Sequence, residues 1–294
     1  MDGIVLVNKP EGVTSFAVVA KMRRLFGTRR VGHCGTLDPL ATGVLPILIG
    51  NAVKATEYMV EHNKCYLATI VTGIETDTED ISGNITKKFD GALPSVDEIR
   101  EAAMTFLGDT FQIPPMYSAL KVGGKKLVDL AREGIEVERE PRRITVLSID
   151  VYEEDGKVFL KVECSKGTYI RTLIADIGKK LGCGAVMGSL CRLSVDDFTI
   201  DECYTEETLE KMTEEERKHT LIPVESVFSE YPSVRYNQFN ERLAKNGCEI
   251  YLSKLKMELP VGTNVKLYGE NGFFGVGRVE RFAAGNAIKT KKLF

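Results

Sequence analysis

From Arg143 to Glu153 apolar and polar residues alternate, Asp155-Gly156 follows, and Val158, Leu160 and Val162 alternate again. A period of two sends one side of each run to a core and the other to water, and Asp-Gly is a turn pair suited to a tight hairpin. The segment is therefore a β-hairpin. It delivers the chain to Lys166-Gly167-Thr168-Tyr169-Ile170-Arg171-Thr172, which starts a helix running to Leu181. Whatever fold the rest adopts, it must seat this hairpin and the helix that leaves it.

Other elements follow from local signals. Gly3 to Lys9 is strand-like, and Thr14 or Ser15 caps a helix in which Val18, Met22 and Leu25 share a face until Gly27 ends it. Asn51 to Val60 reads as a second helix and Lys64 to Thr72 as a strand. Ser95 with Glu98 forms a capping box ahead of Ile99, Ala102, Ala103 and Phe106, and Gly108 closes that helix. Residues 112–126 are rich in Pro and Gly, end in basic residues and keep no period; a loop of this length inside a domain is usually functional. Further on, 265–269 and 272–279 read as strands around a turn.

Composition excludes several classes. The 294 residues, 43% hydrophobic, contain no apolar run of membrane-spanning length. Residues 3–10 show no basic-then-apolar leader, so the expected location is the cytoplasm. Seven cysteines without a Cys-x-x-Cys pair and three scattered histidines, His33, His62 and His219, suggest neither a disulfide framework nor a metal site. The net charge of −3 conceals a strong asymmetry. Residues 201–230, which look helical and solvated, hold ten acids against three bases; residues 231–294 hold eleven bases against five acids. The last part reads as a separate basic body suited to a polyanion, one whose deletion should weaken binding and spare turnover.

Asp38 lies within Gly32-His33-Cys34-Gly35-Thr36-Leu37-Asp38-Pro39-Leu40-Ala41-Thr42-Gly43-Val44-Leu45. Pro39 biases it toward extended backbone, and Gly35 and Gly43 permit tight turns or close approach of another segment. Leu37 and Leu40 would draw the carboxylate out of water, and the chain would then have to supply a cation or hydrogen bonds. An Asp before Pro is also ordinary turn chemistry. An aspartate phosphotransferase would want a second Asp where Leu40 stands. Arg171 breaks a local rule, because a cation in the first turn of a helix faces the positive end of the macrodipole. Either it reaches solvent or it meets an anion, and Asp38 is the candidate.

The run from His33 to Leu45 resembles the signature of the bacterial tRNA pseudouridine-55 synthases, the TruB family. Pro114-Pro115-Met116-Tyr117-Ser118-Ala119-Leu120-Lys121 and Lys166 to Thr172 are similar to further motifs of that family, and Ser189-Leu190-Cys191-Arg192-Leu193 looks like its Leu-Arg-Arg-Leu element with Cys191 in place of the first Arg. The resemblance implies an α+β fold: a pseudouridine synthase catalytic domain over 1–228, with a central, mostly antiparallel sheet flanked by helices, and a small β-rich, PUA-like RNA-binding domain over 229–294. It implies an insertion at about 107–143 that closes over RNA. By the same resemblance Asp38 is the catalytic nucleophile, Arg171 its partner, Tyr169 a wall of the base pocket, Leu190 a contact of the uracil, and Tyr66 the ring that stacks on it and assists at carbon 5. His33 would occupy the space near the extruded base, and Lys9 and Pro10 would support the site floor.

The implied reaction converts one uridine of the tRNA T-arm to pseudouridine, which needs no cofactor and no metal. The carboxylate attacks the ribose or assists elimination to a glycal, and both routes stay open. The expected partner is a tRNA T-arm, with no membrane, no obligate protein partner and a monomeric enzyme. The competing reading is a non-catalytic RNA-binding module or tRNA folding chaperone on the same fold.

Overall fold

The computed structural model describes residues 2–59 and 63–294. Val60 and His62, named above, lie outside the described residues. The chain begins with β1 (Gly3–Lys9), α1 (Ser15–Leu25), β2 (Val31–His33) and β3 (Thr42–Ile49). A 3-10 turn (Gly50–Ala55) passes into α2 (Thr56–Met59), so the expected second helix opens in the tighter form. Then come β4 (Lys64–Thr72), β5 (Ile74–Thr76), β6 (Ile85–Lys88), α3 (Val96–Met104) and β7 (Gly108–Gln112). The strands β8 (Lys121–Val122) and β9 (Lys125–Lys126) precede α4 (Leu127–Arg132). The hairpin is β10 (Arg142–Glu154) and β11 (Lys157–Cys164), followed by α5 (Ile170–Leu181), β12 (Ala185–Val195) and β13 (Phe198–Thr199). The acidic stretch forms α6 (Glu206–Lys211) and α7 (Glu214–His219). The basic remainder holds β14 (Ser233–Arg235), α8 (Gln238–Lys245), β15 (Ile250–Tyr251), α9 (Leu252–Leu255), β16 (Asn264–Gly269), β17 (Gly272–Phe282) and β18 (Gly285–Leu293).

The local signals act as physics requires. Thr14 accepts the Ala17 N–H to cap α1, and Ser95 and Glu98 form the reciprocal capping box of α3. Asp155 and Gly156 both take positive φ, 49° and 70°, the conformation that matches a two-residue turn to the twist of its strands.

Among the described residues nine strands form the central sheet, in the order β1-β3-β12-β4-β11-β10-β7, with β2 on β3 and β13 on β12. Its pairings are antiparallel except β3 with β12, which run parallel over Thr42 and Gly43. A second sheet, β14-β16-β17-β18-β15, builds the C-terminal body. The segment around 107–143 is less detached than expected, because β7 pairs with β10 at the edge of the central sheet. What leaves the sheet begins after Gln112 and returns at Arg142, and it holds the short β8–β9 hairpin and α4, whose Leu127 and Leu130 are buried.

Strands β1 and β3 lack alternation for a reason. On one face Val5, Val7, Leu45, Ile47 and Ile49 join the main core with Val18, Met22 and Leu173 from α1 and α5. On the other, Ile4, Leu6, Val44 and Leu48 join a second core with Phe228 and Val276, against which Phe273 and Phe294 pack. A strand buried on both faces reads as a continuous apolar run. Phe228 is the hub: its ring stands 5.1 Å from Tyr58, 5.5 Å from Tyr231, 6.0 Å from Phe273 and 5.6 Å from Phe294. Lys54 donates to the Leu293 carbonyl at 2.9 Å, and Lys292 pairs with Glu57. The expectation that deleting 231–294 weakens binding and spares turnover meets an obstacle in this shared core, since the deletion would also strip the back of the central sheet. Phe228→Ala should lower the unfolding free energy by about 3–5 kcal/mol, measured by equilibrium denaturation.

Candidate active site

The turn that carries Asp38 connects β2 to β3, and four separate segments grip its backbone. The buried Ser15 hydroxyl accepts the Leu37 N–H at 2.9 Å and donates to the Leu37 carbonyl at 3.1 Å. Gly12 donates to the Pro39 carbonyl at 2.8 Å, where Lys9 Nζ also donates at 3.2 Å. Arg192 Nη2 donates to the Gly35 carbonyl at 2.9 Å, and the Ala41 N–H closes the turn on the Asp38 carbonyl at 3.1 Å. A β-carbon on Gly43, whose φ is 98°, would stand 2.2 Å from the Arg192 carbonyl, so only glycine lets β12 approach here.

Arg171 approaches from the other side. It occupies the second position of α5, and its side chain is 5% exposed. Nη2 lies 2.9 Å from Asp38 Oδ2 and also donates to the Tyr117 carbonyl at 2.9 Å; Nη1 donates to the Thr78 carbonyl at 2.9 Å. Asp80 Oδ2 stands 4.0 Å from Nε. The anion that the helix start demanded is thus Asp38, with Asp80 behind it. The start of α5 is itself pinned by Gln112, whose side-chain amide exchanges hydrogen bonds with the Tyr169 backbone at 2.8 and 3.0 Å.

Asp38 opens on a cavity of about 440 Å³ walled by Tyr66, Tyr117, Tyr169, Leu190, Lys64 and Arg192 among others. Its volume suits one planar ring with the sugar that carries it. Burial pushes the Tyr66 and Tyr169 phenols up, the Arg192 guanidinium opposing the first and Ser118 the second. Lys9 is fully buried, and desolvation brings its ammonium down to about 8 although it donates to the carbonyls of Pro10, Val13 and Pro39.

Asp38, Tyr66, Tyr169, Arg171 and Leu190 therefore share one cavity. Lys9, with the Pro10 carbonyl as one of its acceptors, lies beneath the turn. His33 is not among the cavity's lining residues. It pairs with Ile47 at the end of β2, burial and the Arg192 charge lower its pKa, and its Nδ1 is buried without a hydrogen-bond partner.

Five contributors escaped the sequence reading. Asp80 and Thr78 belong to an acid- and threonine-rich turn in which Asp80 accepts the Ser82 N–H at 2.9 Å, and an Asp two residues before a Ser is the signal that marks it. Glu79 between them has a φ of 63°, and its carboxyl accepts the Thr172 hydroxyl of α5. Desolvation of that carboxyl raises its pKa. Ser15 and Arg192 act across 22 and 157 residues of chain, and no local signal announces them. Ser15→Ala should cost about 1–3 kcal/mol of stability, read by denaturant unfolding, because it orphans the buried Leu37 N–H.

The chain matches known proteins along its length. Residues 23–170 match the family described as TruB family pseudouridylate synthase (N terminal domain), and 171–229 match the tRNA pseudouridylate synthase B C-terminal domain. A relative named tRNA pseudouridine synthase B in Alkaliphilus oremlandii is 43% identical over 282 residues, 95% of this chain and 93% of its own. One of the same name in Clostridium kluyveri is 44% identical, with 100% of both chains covered. Among solved structures, a chain of an H/ACA RNP bound to a substrate RNA containing 2'-deoxyuridine has a TM-score of 0.71 at 22% identity, covering 99% of this chain and 84% of its own. A chain of a Cbf5-Nop10-Gar1 complex has a TM-score of 0.70 at 24% identity, again over 99% and 84%. These two share the fold. With two adjoining family matches and full-length relatives above 40% identity, the chain belongs to the TruB family of pseudouridine synthases.

Proposed function

We propose that this protein isomerises uridine 55 in the T-arm of tRNA to pseudouridine, with Asp38 as nucleophile. The observation that carries the reading is the half-exposed Asp38 carboxylate held at 2.9 Å by the buried Arg171 guanidinium, at the mouth of a cavity sized for one nucleoside. A base must leave its stack to enter such a cavity, at a cost of a few kcal/mol that stacking on the cavity's aromatic rings offsets.

Once the target is flipped, Asp38 meets the anomeric carbon of the ribose, by direct attack or by assisting elimination to the glycal, and the N-glycosidic bond breaks. The freed uracil stays between Tyr66, Tyr169 and Leu190, turns, and is rejoined through carbon 5, displacing Asp38 or adding to the reprotonated glycal; carbon 5 gives up its hydrogen as a proton and N1 takes one up. The ring is only re-attached, so no electrons enter or leave the system. Arg171 aims the carboxylate, and its bonds to Thr78 and Tyr117 prevent the guanidinium from following the substrate. His33, beside the Asp38 turn, supports the opened RNA from outside the cavity. Lys9 and Pro10 stiffen the floor.

The C-terminal body, which we read as PUA-like and spanning 229–294, supplies phosphate contacts, and the segment at about 107–143 covers the arm. Recognition through shape and phosphates suits an A-form stem, whose base edges are hidden. The enzyme acts as a monomer in the cytoplasm.

The deciding assay is tritium release from T-arm RNA labelled at carbon 5 of uridine. Wild type should release tritium and Asp38→Asn should not, while still binding RNA; binding without release by wild type would leave only an RNA-binding module. A second outcome concerns the basic body. Replacing the exposed Arg278 and Arg281 by Ala should raise KM and flatten the salt dependence of binding, with turnover at saturation unchanged.

A further inference from the structure

The loop between β5 and β6 is stiffened by its own side chains. The Thr76 hydroxyl donates to the Asp80 carbonyl at 2.7 Å, the Thr78 hydroxyl donates to the Asp80 carboxylate at 2.7 Å, and Asp77 accepts the Asn84 N–H at 2.8 Å. A unit braced in this way moves as a whole, so its use depends on where it is docked. On β12, the Met187 N–H donates to the Glu79 carbonyl at 3.1 Å and the Met187 carbonyl accepts the Ile81 N–H at 3.0 Å. On α5, two consecutive residues meet three consecutive residues of the loop. Arg171 takes the Thr78 carbonyl and faces Asp80, and the buried Thr172 donates its hydroxyl to the Glu79 carboxyl.

Glu79 holds a left-handed φ of 63°. Glycine takes that conformation without steric cost, whereas an L side chain is strained there. The reversal at Glu79 lets both of its neighbours, Thr78 and Asp80, face one guanidinium. A strained residue persists where its surroundings over-determine it, and such positions cluster at active sites. Here the side chain that glycine would lack is the one that reaches Thr172. The guanidinium whose Nη1 this loop holds presents Nη2 to Asp38 at 2.9 Å. Its donors lie in one fixed plane, so holding one end decides where the other points.

Within the isomerase reading, on which this rests, Asp38 must meet the ribose in one orientation, and Arg171 sets its aim. We propose that Glu79 is a positioning residue, whose grip on Thr172 seats the β5–β6 loop against α5 at the spacing that holds the Arg171 guanidinium in line with Asp38. Glu79 is not among the residues that line the cavity. It acts at one remove, through the Thr78 carbonyl and the guanidinium. Loss of its grip leaves the RNA bound and the nucleophile misaimed.

The test reads single-turnover tritium release at saturating enzyme for Glu79→Gly, Thr172→Val, their double variant and Thr172→Ser, with RNA affinity and denaturation midpoints measured separately. Glu79→Gly and Thr172→Val should each slow release about 10-fold, less than the roughly 10²-fold that a misplacement of about 1 Å brings, with affinity within about twofold. Thr172→Ser keeps the hydroxyl and should keep most of the rate. The double variant should be no slower than the slower single, since both remove the same bond. Glycine relieves the backbone at position 79 as it removes the carboxyl, so the Glu79→Gly midpoint should hold while its rate falls. Should Thr172→Val fail to fold, Glu79→Gln takes its place: it keeps an acceptor for Thr172 and should recover the rate lost in Glu79→Gly. An unchanged rate in Glu79→Gly, multiplied effects in the double variant, no recovery in Glu79→Gln, or a rate loss that comes only with a lowered midpoint would overturn the proposal. Failure of the isomerase reading is distinguished at once, because wild type would then release no tritium.

Discussion

Holding the Arg171 guanidinium away from water is the constraint around which the site is assembled. A buried cation needs oxygen on every side, and these oxygens come from three distant places: the Asp38 carboxylate, the 78–80 turn and the Tyr117 carbonyl. Each of those segments is irregular backbone with groups to satisfy, and the guanidinium supplies five donors in a fixed plane. Helix α5 serves as the post that holds this hub. Its start is anchored by Gln112, and its apolar side is sunk into the main core through Leu173, Ile174 and Ile177.

The second buried cation has a different logic. Arg171 neutralises acids already present, while Arg192 braces backbone at the cavity wall and forms no ion pair among the described residues. The two together give the cavity a polarity: a carboxylate near one guanidinium, and the wall that bears Tyr66 beside the other.

What the sequence disclosed and what it withheld follows from the range of each interaction. The 142–164 hairpin, the Thr14 cap and the Ser95–Glu98 box are decided within a few residues, so they were legible. The Asp38–Arg171 contact was legible although it spans 133 positions, because Arg171 violates a local electrostatic preference and a violation asks for a partner. Ser15 and Arg192 obey every local rule and show themselves only when the start of α1 is seated against the β2–β3 turn and β12 lies beside β3. The unbroken apolar runs of β1 and β3 contained the message that both faces are covered, yet the covering Phe228, Phe273 and Phe294 lie so far along the chain that no local pattern connects them. His33 shows the converse limit, since neighbouring Asp38 in sequence does not bring it into the cavity wall.

The second core has a consequence for how the protein meets a large, folded substrate. Phe273 and Phe294 of the C-terminal sheet are packed against the back of the strands whose front faces the site, so swinging one sheet relative to the other would tear apolar surface open. The pair behaves as a calliper with a locked joint. On the proposed reading, an RNA engaged at both jaws would be measured against a constant span, and any bending needed to bring a nucleotide to Asp38 would have to come from the RNA.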